Sequence, residues 1–140
     1  MPSVFSKIIA GEFPGRFVYK DEQCVAFLTI APLKPGHTLV VPRQEVDHWQ
    51  GIDPGLMAHL TGVCQIIGQA IMRAFDAPRV GMLIAGLEVP HVHIHVSPIE
   101  HMTDLDFASV DSDPRAEDLD AAADKIRAAL RAMGCAEVAG

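Results

Sequence analysis

The most informative stretch of the sequence is residues 90–97, Pro-His-Val-His-Ile-His-Val-Ser. Its apolar residues are β-branched valine and isoleucine, which favour a strand, and successive strand side chains point to opposite faces. The residues expected on one face, roughly 6.5–7 Å between neighbours, are His91, His93 and His95. The residues expected on the opposite face, in a core, are Val92, Ile94 and Val96. Three imidazoles on one face of a strand predict a metal-binding or catalytic site.

Imidazoles in this pattern fit two kinds of chemistry. Histidine is a ligand of zinc and other transition metals, and a His-x-His pair would need a further ligand, for which Glu88 and Glu100 are candidates. A neutral imidazole is also a good nucleophile near pH 7 and can carry a phosphoryl or nucleotidyl group. Its neighbours would discourage its protonation and could donate hydrogen bonds to phosphate oxygens. The spacing alone does not separate these two interpretations.

The periodicity of the remaining sequence predicts an α+β domain. Apolar and β-branched runs bounded by turn residues predict five strands, at 17–20, 23–30, 37–42, 80–86 and 91–98. Apolar residues spaced by three and four predict helices at 3–10, from Asp53 to Phe75 and from Leu119 to Met133, with an acidic loop at 99–117. Short connections between strands imply antiparallel pairing. We therefore expect one five-stranded antiparallel sheet with the helices packed on one face.

Length and composition limit the class of protein. The 140 residues suit a single domain, 1–140. Eighteen acidic against eleven basic residues give a net charge of −7, which argues against a nucleic-acid-binding surface. No signal peptide is evident and no apolar run approaches the roughly 18–20 residues of a membrane span, so we expect no membrane partner and a cytoplasmic location. The three cysteines have long spacings and predict no disulfide framework.

Four segments of the sequence resemble the histidine triad (HIT) superfamily. The mark of that superfamily is His-φ-His-φ-His-φ-φ, where φ is apolar, and residues 91–97 match it except at Ser97. The other three segments, which follow the order of the superfamily, are 5–14, 24–28 and the Pro-Gly-His strand at 35–42. Together they cover a triad core of about 3–98, which the acidic loop and the last helix follow at 99–134.

The resemblance implies a HIT-like fold, a homodimer and a reaction. The reaction is that of a nucleotide hydrolase or transferase acting on a nucleoside phosphoramidate or a dinucleoside polyphosphate, with no cofactor. His93 would attack the α-phosphate to form a nucleotidyl-histidine, which water would then hydrolyse. His95 would contact the phosphate, His91 would hold the hydrogen-bond network of the triad, and His37 would be a fourth histidine of the site.

The resemblance also implies a nucleotide pocket, with a purine as the expected base. The residues that would form it are Phe5, Ile8, Phe27, Thr29, Ile30, Glu88 and Val89. The alternative role of the four large apolar residues is packing in the core; these are Phe5, Ile8, Phe27 and Ile30.

The sequence departs from the superfamily in three places. Some members hold a structural zinc ion with an N-terminal Cys-x-x-Cys and a later histidine. The corresponding residues here are Ser3, Ser6 and Glu45, so no metal is expected. Where many members have an acidic residue that binds the ribose, this sequence has Thr29, which is a weaker partner. Before the triad, Leu87 replaces a glutamine, and Glu88 replaces a small hydroxyl residue.

These departures leave two other functions open. Leu87 and Glu88 favour a nucleotide-binding regulatory module that retains the fold with weak turnover, whereas the complete set of histidines favours an enzyme. A metal-dependent His-x-His hydrolase would lose activity on chelation. Glu88 would face solvent, opposite His91, if the strand continued unbroken through Pro90.

Overall fold

The computed structural model describes all 140 residues. Its five strands are β1 (Phe17–Lys20), β2 (Cys24–Leu28), β3 (Thr38–Pro42), β4 (Arg79–Leu83) and β5 (Ile94–Ile99). Its three α-helices are α1 (Val4–Ile9), α2 (Pro54–Phe75) and α3 (Ala116–Ala132). The strands form one sheet in the order β1-β2-β3-β5-β4, and every neighbouring pair is antiparallel. The predicted α+β class and five-stranded antiparallel sheet are confirmed.

The main difference from the predicted elements concerns the histidine stretch. The strand expected at 91–98 begins only at Ile94, so His91 and His93 precede it. In the register between β3 and β5, Val40 faces Ile94, and the next positions along β3 end at Pro42. Proline has no N–H to extend the ladder. The chain before Ile94 therefore leaves β3, and the Val92 N–H bonds the carbonyl of Val46 instead.

The two faces of the sheet carry different clusters of buried residues. One cluster joins the sheet to α2 and α3 and includes Val92, Ile94 and Val96, as the alternation predicts. The other cluster consists of Phe5, Val25, Phe27, Leu39 and Val41. The expectation of helices on a single face is wrong, because Phe5 anchors α1 on the face opposite α2 and α3.

Helix α2 supports the sheet beneath the histidines. It starts where predicted, because Asp53 caps it by accepting hydrogen bonds from the N–H groups of Gly55 and Leu56. By length and composition it is the one helix of the chain that could cross a membrane, which the sequence analysis did not anticipate. The structure uses it as a core helix instead, and its buried residues are Leu60, Val63, Cys64, Ile67, Ala70 and Ile71.

A single glycine shapes the entry to β3. Gly36 has a φ of +99°, a conformation that residues with a Cβ rarely adopt. A Cβ there would also lie 2.5 Å from the ring of Phe75 on α2. Glycine at this position lets the chain turn tightly against α2 and delivers His37 to the start of the strand.

Candidate active site

A cavity of about 570 Å³ opens on the face of the sheet that carries α1. Its walls are mainly apolar, and at one end His93 and His95 form part of its lining. Phe5 and Phe27 meet edge to face with ring centroids 5.6 Å apart, and they make the apolar end rigid. The cavity therefore combines an apolar chamber with two imidazoles, an arrangement suited to a ligand with a flat apolar part and a polar part.

His93 has one nitrogen fixed by the protein and one free. Its Nδ1 lies 2.8 Å from the carbonyl oxygen of His91, which can only accept, so Nδ1 carries the proton. The neutral ring then has its lone pair on Nε2. Nε2 of His93 has no hydrogen-bond partner in the protein, whereas every fully buried side-chain nitrogen or oxygen has one. This nitrogen is therefore not fully buried, and it is open to the cavity that His93 lines. His93 thus presents a nucleophilic atom to whatever the cavity binds.

His95 is oriented the other way by His37. The Nδ1 atom of His37 accepts from the N–H of Leu33 at 2.9 Å, so the proton of His37 is on Nε2. That proton is donated to Nδ1 of His95 across 2.9 Å. The proton of His95 is therefore on Nε2, which bonds no other protein atom. His95 offers an N–H donor beside the lone pair of His93, and the two ring centroids are 5.0 Å apart.

His91 lies behind the cavity and holds the site together. Its ring is fully buried, and its Nε2 donates to the carbonyl oxygen of Pro42 at 2.7 Å. Its Nδ1 accepts from the hydroxyl of Ser3 at 2.7 Å. The backbone carbonyl of His91 in turn orients His93. Only His95 lies in a regular strand, because β5 starts at Ile94, after both His91 and His93.

The surroundings keep three of the imidazoles, those of His37, His93 and His95, neutral. Burial, and then the charges of His95 and His93, lower the pKa of His37 to about 3. Burial, and then the charge of His93, lower the pKa of His95 to about 4. Burial also lowers the pKa of His93, against smaller opposing effects of the hydrogen bond to the His91 backbone and of Glu88. At neutral pH the tautomers of His37, His93 and His95 described above are therefore those of uncharged rings.

The structure gathers most of the predicted site residues around this one cavity. The predicted residues that line it are Phe5, Ile8, Phe27, Thr29, Ile30, Glu88, Val89, His93 and His95. Ile30 is 75% exposed and lies at the rim, whereas Phe27 is 2% exposed. Glu88 lines the cavity instead of facing only solvent, because the strand does not continue through Pro90. Glu100 follows the far end of β5 and lies outside the cavity.

Sequence reasoning missed one aromatic neighbour of the histidines. The acidic segment expected to be a loop contains two 3₁₀ turns, Met102–Leu105 and Phe107–Ser109. The Phe107 ring packs edge on against His95, with centroids 4.7 Å apart, and against His37 at 6.4 Å. The only signal in the sequence was one large aromatic residue among acidic ones.

A separate group of ligand-type side chains lies at the β1–β2 turn. It consists of Asp21, Cys24 and His59. The Asp21 carboxylate already accepts from His59 Nε2 at 2.6 Å and from the Tyr19 hydroxyl at 2.9 Å. Burial raises the pKa of the Cys24 thiol, so the thiol is protonated. We interpret this group as a hydrogen-bonded junction between the turn and α2.

Fold and site together define an α+β protein that brings four histidines to the end of an apolar cavity. The HIT domain model matches residues 10–102, and the chain belongs to the HIT family.

Relatives and solved structures extend this comparison. An uncharacterized HIT-like protein of Methanocaldococcus jannaschii is 38% identical over 99 residues, which are 68% of this chain and 77% of that protein. The adenylylsulfatase HINT3 of Arabidopsis thaliana is 32% identical over 68% of this chain and 51% of its own length. A zinc-bound histidine triad family protein from Mycobacterium smegmatis superposes with a TM-score of 0.80 at 31% identity, covering 96% of both chains. A hypothetical histidine triad nucleotide-binding protein from Sulfolobus tokodaii superposes with a TM-score of 0.80 at 25% identity, covering 92% of both.

The residues at the N-terminal zinc positions of this chain do not fit zinc. Structural zinc sites are built from thiolates and imidazoles, whereas here two hydroxyls and one carboxylate accompany His91. The lone pair of His91 Nδ1, which a metal would need, accepts a hydrogen bond from the Ser3 hydroxyl. Glu45 Oε1 is 2.6 Å from the Ser3 nitrogen and 2.7 Å from Ser6 Oγ. These atoms bond to one another and leave no donor set directed at a common ion.

Proposed function

We propose that this protein binds a nucleotide in the 570 Å³ cavity and cleaves it at the α-phosphate through a nucleotidyl-His93 intermediate. The observation that carries the proposal is the opposite orientation of two neighbouring rings. His93 offers a lone pair on Nε2 and His95 offers an N–H on Nε2, and both open to the same cavity. The Arabidopsis relative is named as an adenylylsulfatase and the Sulfolobus structure as nucleotide-binding, which supports this reading.

In the first step, His93 Nε2 forms a bond to the α-phosphorus as the bond from phosphorus to the leaving group breaks, and a departing amine takes up a proton from solvent. The ring becomes positively charged, and the His91 carbonyl, 2.8 Å from His93 Nδ1, stabilises that charge through the proton on Nδ1. His95 donates its Nε2 proton in a hydrogen bond to a phosphate oxygen and so stabilises the negative charge of the transition state. Water then attacks phosphorus, the bond from phosphorus to His93 Nε2 breaks, the nucleoside monophosphate leaves, the proton of the water passes to solvent, and His93 is neutral again.

Phe5, Ile8, Phe27 and Ile30 would hold the base. Phe5 and Phe27 form the rigid inner end and Ile30 the exposed rim, as a flat ring entering from solvent requires. Thr29 also lines the cavity and could contact the ribose with its hydroxyl. The preference for a purine is part of this proposal.

The leaving group would be an amine. Glu88 lines the cavity near His93 and acts electrostatically on it. A carboxylate at this position disfavours an anionic leaving group and is compatible with a cationic one. A nucleoside phosphoramidate is therefore the preferred substrate over a dinucleoside polyphosphate. The hydrolysis needs no metal in this scheme.

The direct test is turnover of an adenosine phosphoramidate, measured as release of adenosine monophosphate with and without a chelator. We expect turnover by the wild type that the chelator does not change. A matched control is His101→Gln, which alters an exposed histidine outside the cavity and should retain the wild-type rate. Loss of activity on chelation would instead favour a metal-dependent hydrolase. Binding without turnover of either substrate class would favour a regulatory module.

A homodimer is also part of the proposal. The predicted apolar stripe of α2 is used within the chain's own core, so it does not form the interface. Strand β4 is an edge of the sheet, and together with α2 it lines a groove of about 660 Å³. Met82 on β4 and Met72 on α2 are 57% and 43% exposed there. Pairing of this edge with a second copy would cover both, and we expect the dimer to be cytoplasmic.

A further inference from the structure

The start of α1 contacts the triad through a network of short hydrogen bonds. Ser3 is 7% exposed and takes part in three of them. Its N–H donates to Glu45 Oε1 at 2.6 Å, and its Oγ accepts from the Ser6 N–H at 3.0 Å. Its hydroxyl then has one proton, and the partner for that proton is His91 Nδ1 at 2.7 Å. Each donor and acceptor of Ser3 has a defined role.

The direction of the Ser3–His91 bond follows from the other side of the ring. His91 Nε2 faces the carbonyl oxygen of Pro42, so Nε2 must carry the proton. Nδ1 is then an acceptor, and Ser3 is its donor. Because His91 is 0% exposed, no water can replace the hydroxyl without a rearrangement. The Pro42 carbonyl therefore fixes the tautomer of the His91 ring, and Ser3 fixes its orientation by donating to Nδ1.

His91 transmits this constraint to His93. Ser3 and Pro42 hold the ring of His91. The backbone carbonyl of His91 accepts a hydrogen bond from Nδ1 of His93 at 2.8 Å. That bond keeps the lone pair of His93 on the atom that faces the cavity. Phe5, two residues after Ser3, packs against the His93 ring with centroids 4.8 Å apart. The first turn of α1 thus restrains the nucleophile by two routes.

We infer that Ser3 is a positioning residue for His93, acting through His91 in a metal-free network that Ser6 and Glu45 complete. The inference rests on the proposed role of His93 as nucleophile. In this chain hydrogen bonds connect α1 to the triad, since the residues there do not fit a zinc ion. The Glu45 carboxylate accepts from the Ser3 N–H and the Ser6 hydroxyl, so it fixes the first turn of α1 relative to the segment after β3.

The test compares variants of Ser3 that separate the hydroxyl from the helix cap. Ser3→Ala removes both, Ser3→Gly removes the hydroxyl but keeps most of the capping preference, and Ser3→Thr keeps both. Asp53→Ala is the matched control, because it removes the cap of α2 without touching the triad. A loss that came only from a weaker helix start would spare Ser3→Gly.

The first readout is the protonation of the imidazole nitrogens, measured by long-range proton–nitrogen NMR. In the wild type and Ser3→Thr we expect His91 protonated on Nε2 and His93 on Nδ1. In Ser3→Ala and Ser3→Gly we expect His91 to stay protonated on Nε2, because the Pro42 carbonyl remains its partner, and we expect displaced Nδ1 signals of both His91 and His93. Wild-type spectra in both variants would overturn the inference, and this arm does not depend on turnover.

The second readout is steady-state kinetics together with metal content. We expect Ser3→Ala and Ser3→Gly to lower kcat about tenfold with little change in KM, because an unpaired buried acceptor disturbs the nucleophile and not the base pocket. Ser3→Thr and Asp53→Ala should keep the wild-type kcat. Stoichiometric zinc bound by the wild type and lost in Ser3→Ala would contradict the metal-free network. A wild type that shows no turnover would refute the proposed function, and the NMR arm would still decide the inference.

Discussion

Phe107 illustrates how a residue outside the triad affects its protonation. Its ring covers one edge of His95 and approaches His37, so it contributes to the burial that holds the pKa of His95 at about 4. Protonation of His95 would put a second proton on Nδ1, directed at the Nε2–H of His37. The His37–His95 pair therefore requires a neutral His95, and activity should fall as the pH falls through the pKa of His95.

Phe107→Ala is expected to move this acid limb to higher pH. Without the ring, water reaches His95, its pKa rises towards 6.5, and its neutral form is lost earlier on acidification. Activity between pH 5 and 6 should drop, while activity at pH 8 should stay near that of the wild type. The measurement is the pH profile of kcat/KM, with Phe107→Leu as an apolar control. An unshifted profile in Phe107→Ala would show that the ring does not control His95.

Glu88 sets the choice of leaving group in this account. At a separation of ~4 Å, two like charges repel by about 1 kcal/mol in water-like surroundings, and by more if they are buried. Glu88→Ser should therefore raise kcat/KM for a dinucleoside polyphosphate relative to a phosphoramidate, by roughly fivefold or more. Glu88→Gln is the control that removes charge with little change in size. An unchanged ratio of the two substrates would exclude an electrostatic role.

At the scale of elements, the β1–β2 turn and α2 are joined by one carboxylate. Asp21 accepts from the N–H groups of Gln23 and Cys24 and from the side chains of His59 and Tyr19. Burial raises the pKa of Asp21, but these four donors outweigh it and lower the pKa to about 2, from 3.8. The stabilisation is therefore fully present above pH 3.8 and is lost as the pH falls through about 2.

Asp21→Asn is expected to lower the free energy of unfolding at pH 7 by about 1–2 kcal/mol, since the amide NH₂ group would face donors. The variant should also lose part of the acid dependence of stability between pH 4 and pH 2. Urea unfolding at several pH values measures both effects. The control is Asp113→Asn, at an exposed aspartate whose side chain makes no hydrogen bond. Equal stability of Asp21→Asn and the wild type would mean that the junction is not a stabilising element.

The elements that the sequence predicted well are those with a strong local pattern. The apolar spacing and the Asp53 cap predicted both ends of α2, and the turn residues predicted where the strands lie along the chain. The start of β5 was predicted three residues too early because it depends on Pro42, which lies on a different strand. The periodicity of one segment does not show where its partner strand reaches a proline, which has no N–H to donate.

The candidate site likewise has one part that sequence patterns predict and another part that depends on tertiary folding. The four histidines and most of the cavity lining could be inferred from the motif and the resemblance. The contact of Ser3 with Glu45, 42 residues away in sequence, and the packing of Phe107 against His95 depend on tertiary folding. The resemblance placed Ser3 and Glu45 at positions of one zinc site but predicted no bond between them, and nothing in the sequence joined Phe107 to His95.

At the scale of the whole molecule, the exposed edge of β4 and the outer face of α2 predict association. Gly62 lies in the groove that they form, and a Cβ at this position would meet nothing within 4 Å. In a monomer, a side chain here should be harmless and should favour the helix by about 1 kcal/mol. In a dimer through this face, a long charged side chain would be forced into the interface.

Gly62→Glu is therefore expected to convert a dimer into a monomer. Sedimentation at micromolar concentration should give about twice 15.1 kDa for the wild type and for Gly62→Ala, and about 15.1 kDa for Gly62→Glu. A monomeric wild type would contradict the dimer. A dimeric Gly62→Glu would show that association uses another face.

The most direct measurement of the central claim is the covalent state of His93 during turnover. An adenosine phosphoramidate carrying a labelled α-phosphate is mixed with the protein and quenched in base, which preserves phosphorus–nitrogen bonds to imidazole, and the labelled peptide is identified by mass spectrometry. We predict a transient nucleotidyl group on His93 in the wild type and none in His93→Ala, which should still bind nucleotide. Label on a different residue, or undiminished turnover by His93→Ala, would contradict the account.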